Sequence, residues 1–206
     1  MKNLKPILLC ALIALSVNLK AQTIEDVLSD KNIPITFYGI DFTKSLLIGD
    51  ANAKKGDIVA RQFTGINDLM IKESDKYNFA GAFNRKELPA NLEFVKKRNE
   101  AIDSNKIVSS NTEDFNHLKE GDVGNLVKNF KTDGSAGYGL LLVVDAMSKP
   151  DARISGWVVL FDNKTKRILL NERHEGKVGM AFSFRNYWAA GIKNIISSIA
   201  GKNKKR

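Results

Sequence analysis

The chain has 206 residues, a formal charge of +9, one cysteine and two histidines. The length suits one compact domain; a lone cysteine excludes an internal disulfide, and two histidines without further cysteines argue against a zinc site. The charge does not mark a nucleic-acid binder: of the +9, three cations lie near the start (Lys2, Lys5, Lys20) and four at the end (Lys202, Lys204, Lys205, Arg206), leaving +2 for the body.

Residues 1–21 read as a signal peptide. Lys2 and Lys5 precede an apolar run over 7–17, too short to cross roughly 30 Å of hydrocarbon, and Ala21 supplies a small residue for cleavage. The expected product begins at Gln22 and is exported to the periplasm, the cell surface or the medium. Cys10 leaves with the leader; leucines precede it where lipidation wants small residues. Residues 22–201 form one predicted domain, and 202–206 a basic disordered tail capable of weak contact with an anionic membrane surface.

Along the body, TIEDVLSD predicts a short helix capped by Thr23. IPITFYGIDF alternates with period two, Ile33, Ile35, Phe37 and Gly39 against Thr36, Tyr38 and Ile40, and predicts a strand. Leu46, Leu47 and Ile48 give a second, short one. Ile58, Val59, Phe63, Ile66, Leu69, Met70 and Tyr77 fall three and four apart, on one helical face. The segment 79–105 reads as an irregular strand at Leu88, Leu92, Phe94 and Val95 with Lys96, Lys97 and Arg98 as its solvated end, 104–116 as a polar loop, and 118–130 as a helix.

The last third has the strongest pattern. YGLLLVVDAM is apolar on both faces, which places it inside a covered sheet. ISGWVVLFD and RILLNERHE flank the short polar DNKTK and predict an antiparallel hairpin. Trp188, Ile192, Ile195, Ile196 and Ile199 form one stripe of a closing helix, with Asn186 as its expected N-cap. The architecture expected is α+β, one domain, with a mixed or mostly antiparallel sheet of about five strands and helices packed mainly on one face.

Catalytic chemistry finds little support. No G-x-S-x-G elbow is present, and His117 and His174 read as solvated. GSAGYG precedes a strand, whereas a dinucleotide turn follows one. Nothing calls for a metal or another cofactor, and the balance leans against an enzyme. The candidate binding residues are Phe182, Phe184, Arg185 and Tyr187, because aromatic and arginine side chains are enriched at recognition surfaces. The alternative is a carboxylate-based ligand or catalytic site at Asp41 and Asp145, both strand-ending, although strand-ending aspartates also form turns.

Taken in order, Y-G-I-D-F, G-Y-G-L-L-L-V-V-D, S-G-W-V-V-L-F-D-N-K-T-K-R-I-L-L and F-R-N-Y-W-A-A-G resemble an uncharacterised family of small secreted proteins of Gram-negative gut and environmental bacteria, over nearly all of the chain after the leader. No activity is attached to that family, so the resemblance implies no catalytic residue. A narrower likeness, over 33–42 and 138–199, is to periplasmic domains of the curli-channel and penicillin-binding-protein-activator type. It implies an α+β sheet used for assembly or for binding an envelope protein. Lys166 stands where that pattern has a glycine, and the lipidated cysteine is missing.

Overall fold

The computed structural model describes residues 22–206, so the expected leader lies outside the described residues. Helix α1 (Ile24–Ser29) starts at Thr23, whose Oγ1 accepts from the Asp26 N–H at 3.2 Å while Asp26 Oδ2 accepts from the Thr23 N–H at 2.8 Å. These reciprocal bonds satisfy two amides that a helix start leaves without intrahelical partners. Strands β1 (Ile35–Asp41) and β2 (Leu46–Ile48) follow. Helix α2 joins Lys55–Asp57, a π segment Ile58–Gln62 and Phe63–Lys72 without a break. Then come α3 (Phe79–Ala82), α4 (Glu93–Glu100), β3 (Val108–Ser109) and α5 (Glu120–Lys128). The chain closes with β4 (Tyr138–Ser148), β5 (Arg153–Asp162), β6 (Ile168–Lys177) and α6 (Phe184–Asn203).

The six strands make one mixed sheet. β1 and β2 lie end to end along one side of β4, both parallel to it: Ile35 faces Tyr138, Asp41 faces Val143, and after a break Leu46 faces Ala146. β3 pairs in parallel with the outer side of β2, while β4, β5 and β6 form an antiparallel meander. In the turn of the predicted hairpin, Asp162 Oδ1 accepts from the amides of Lys164 and Thr165 at 2.9 and 2.7 Å, and Lys166 adopts φ 62°. Glycine takes that left-handed conformation without steric cost. Lys166 offsets the cost by donating its ammonium to Thr132 Oγ1 and the Asn163 carbonyl at 2.6 and 2.9 Å.

The heavier layer covers one face, where Trp188, Ile192, Ile195 and Ile199 of α6 pack with Phe63 and Ile66 of α2 on Leu140, Leu142 and Val158. Trp188 is fully buried. A thinner layer covers the other face: Val95 of α4 and Val123 and Val127 of α5 pack with Phe130 on Tyr38, Leu141, Val143 and Phe161. β4 is buried along its whole length because both faces are covered.

Three expectations are corrected. The segment containing Phe94, Val95 and Arg98 is the helix α4 rather than an irregular strand. It turns Val95 and Asn99 inward, and Asn99 completes the β1 edge: its Oδ1 accepts from the Phe42 amide at 2.8 Å and its Nδ2 donates to the Ile40 carbonyl at 2.9 Å. The N-cap of α6 is Ser183, whose Oγ accepts from the Asn186 amide at 3.2 Å, so Asn186 lies one turn inside. Residues 202–206 are not a free tail. The helix runs through Asn203, and Lys202 and Arg206 both pair with Glu172 on β6.

β6 and α6 meet backbone to backbone. A Cβ built on Gly176 runs into the carbonyl of Gly191, whereas one on Gly179 meets nothing within 4 Å. Gly176→Ala is therefore expected to lower unfolding free energy by about 2 kcal/mol or more, the scale of forced overpacking, and Gly179→Ala by less than about 0.5 kcal/mol. Urea unfolding of the two variants beside the parent protein checks the contrast.

Candidate functional site

Both candidate aspartates are placed by bulges. β1 shifts register between Phe37 and Gly39, and Gly39 has φ 99°. The extra residue puts Ile40 and Phe42 with Ile35 and Phe37 in the larger core, and turns Asp41 to the thinner side, where its partner Arg98 stands over the Phe130 ring at 5.7 Å. Strict alternation would have sent Asp41 into the apolar layer. β4 shifts between Val144 and Ala146, leaving Asp145 as the extra residue.

Neither carboxylate is open to a ligand, since both side chains have no exposed area. Asp41 Oδ1 accepts from the amide and hydroxyl of Thr43, and Oδ2 accepts from Arg98 Nε at 2.6 Å. Arg98 also donates to Thr43 Oγ1 at 3.1 Å. Asp145 Oδ1 accepts from the Leu118 amide at 3.1 Å and lies 2.9 Å from His117 Nδ1, while Oδ2 accepts from Arg173 Nε at 3.1 Å. Arg173 continues to the Phe115 carbonyl at 2.8 Å and to Glu175 at 2.6 Å. Buried carboxylates persist when partners replace the lost water, and here each oxygen has at least one.

His117 does not behave as a solvated side chain. Its Nδ1 lies between Asp145 and the Asp114 carbonyl (3.0 Å), and its Nε2 is 2.9 Å from the Lys44 carbonyl. Acceptors face both nitrogens, an environment that suits the imidazolium, which has two donors. The bond to Asp145 is the main cause that raises its pKa, against the opposing effect of burial. His174 is the reverse case. It is buried between β6 and α6, with Nδ1 2.9 Å from Ser198 Oγ and Nε2 3.3 Å from Glu172, and burial lowers its pKa despite that carboxylate.

Ser198, His174 and Glu172 stand in nucleophile, base and acid order. Ser198 lies inside α6, however, where backbone N–H groups are committed to the helix ladder, so the amide pair that would stabilise an oxyanion is not available there. Among the described residues no group of three or more His, Cys, Asp or Glu side chains is arranged to hold a metal ion. No helix among them is long and apolar enough to cross a membrane.

The four aromatic and arginine candidates divide. Phe182 is wholly exposed, at 112 % of its reference area, and Met180 beside it at 105 %. Phe184 and Tyr187 are half-buried, with rings edge-on to Trp188 at 6.1 and 4.9 Å, and the Lys149 ammonium lies over the Tyr187 ring at 4.7 Å. Arg185 is half-buried with its guanidinium laid against Gly65 of α2. Phe184, Arg185 and Tyr187 thus anchor the start of α6, while Met180 and Phe182 form the tip of loop 178–183. No family model, curated protein or solved structure matches this chain.

The histidines link folding to pH with opposite signs. His117, whose pKa is raised in the folded protein, contributes stability that is complete below the unfolded value near 6.5 and is lost as pH rises through the folded value. His174, whose pKa is depressed, contributes stability that is present above that unfolded value and is lost as pH falls toward the folded one. The His117→Gln variant should therefore gain stability from pH 5.5 to 8, and His174→Gln should lose it over the same range. Urea unfolding at steps of pH reads both slopes; equal slopes in the two variants would contradict the assignment.

Proposed function

We propose that the protein is an exported, non-enzymatic binding protein of the bacterial envelope whose loop 178–183 contacts a protein partner. The observation that carries this reading is the full exposure of Met180 and Phe182, two residues apart on one loop tip. Lone exposed apolar residues are ordinary on a soluble surface. Here the two most exposed large hydrophobic side chains among the described residues lie two positions apart on the same loop. Exposed Lys177 precedes the loop in sequence, and exposed Lys149 lies over the Tyr187 ring at the start of the helix that follows it. The partner expected is a protein with an apolar pocket rimmed by acidic groups. Export rests on the leader-like segment 1–21, and the resemblance to small secreted proteins supports the same compartment.

Burying a Phe or Met side chain contributes about 1.5–3 kcal/mol, so Phe182→Ser should weaken the complex by roughly tenfold or more while leaving unfolding unchanged. A photoreactive residue placed at 182 in cells that make the protein should give one discrete protein adduct, lost in Met180→Ser. Adducts of the same pattern from a probe at Lys128, which lies on the far layer, would sink the reading.

A further inference from the structure

Where β1 breaks before β2, the crossing 42–46, the end of α4 and the turn that precedes β3 enclose an open depression of about 650 Å³. Its polar lining is Thr43, Lys44, Ser45, Arg98, Asp103, Lys106 and His117. It lies beyond the carboxyl end of β1, a strand parallel to β4, the side on which open parallel sheets place their ligands.

The lining is cationic although acids organise it. Asp41 and Asp145 are wholly buried behind the wall, and each holds a side chain at the rim: the Arg98 guanidinium by Nε and the His117 imidazole by Nδ1. Lys44 and Lys106 are exposed on the same rim. The acid in the lining is Asp103, 3.7 Å from Lys106. Arg98 is fixed on three sides, by Asp41, by Thr43 Oγ1 and by the Phe130 ring. Its Nη1 has no acceptor among the described residues, while its side chain keeps 28 % of its area exposed. A guanidinium immobilised in this way loses little freedom on binding and offers a planar donor edge suited to carboxylate or phosphate oxygens. Lysines at either side supply mobile charge for a second anionic group.

We infer that this depression binds a compact small molecule carrying two or more negative charges as carboxylate or phosphate groups, with Arg98 fixing one group and Lys44 and Lys106 flanking it. Such a site reverses the expectation attached to Asp41 and Asp145: the carboxylates position cations and do not meet the ligand. It is separate from the loop 178–183, so either proposal can fail alone.

The test is a two-dimensional amide NMR titration of the purified protein with pyrophosphate and, separately, with citrate, at ionic strength held constant with sodium chloride. Saturable shifts confined to 43–46, 98–106 and His117 are expected; a response to one anion alone assigns phosphate or carboxylate chemistry. Lys44→Gln combined with Lys106→Gln should weaken binding about tenfold with unchanged unfolding in the absence of anion. Arg98→Lys, which keeps the charge beside Asp41 but loses the planar fork, should weaken it as well. Absence of saturable shifts with both anions, or parental affinity in the double lysine variant, overturns the proposal.

Discussion

The buried carboxylate of Asp145 is the constraint around which the thinner side of the molecule is arranged. A charge removed from water is tolerated only when fixed donors replace its hydration. Those donors come from two separate parts of the chain: the adjacent His117 side chain and Leu118 amide, between the short helical turn Thr112–Asn116 and α5, and Arg173 on β6. Satisfying one side chain thus ties the connection between β3 and α5 to the meander. Arg173 and Arg153 both stand over the Phe115 ring, at 5.3 and 4.1 Å, so the polar cluster is roofed by an aromatic side chain.

The same logic governs the interrupted strand. Beyond its bulge, β1 has backbone groups on its outer side with no neighbouring strand to receive them. Asn67 from α2 accepts from the Ile40 amide at 2.7 Å and donates to its carbonyl at 3.0 Å, and Asn99 from α4 bonds the same carbonyl and the Phe42 amide. Two buried amides, one from each layer, stand in for the missing strand, and buried backbone groups must find such partners. Gly39 makes the approach possible, because a Cβ there would lie 2.5 Å from Asn67 Oδ1 and within 3 Å of Leu92 and Val95.

The parts readable from sequence are those governed by local period: β1, the buried β4, the hairpin of β5 and β6, and the stripe of α6. The unread parts depend on pairings distant in the chain. Arg98 and Asp41 are 57 positions apart, and Arg173 and Asp145 are 28 apart; no period in a single sequence records such a bond. α4 was illegible for a related reason, since its inward face carries Val95 and a buried asparagine instead of an apolar stripe. The bulge at Gly39 changed the parity of β1, and with it the side on which Asp41 falls. Of the binding candidates, the aromatic content of 182–187 was visible, but spacing alone does not separate the exposed tip from the helix anchors.

The loop 178–183 is short and held at both ends. The Val178 amide donates to the Ala152 carbonyl at 2.8 Å, and Ser183 begins the closing helix. Its tip side chains contribute nothing to the interior, yet their bases are fixed by a ladder and a cap. Association through such a tip gives up little chain freedom. In the proposed binding role, replacement at 180 or 182 would retune selectivity without disturbing the scaffold, so that partner choice and architecture could evolve on separate clocks.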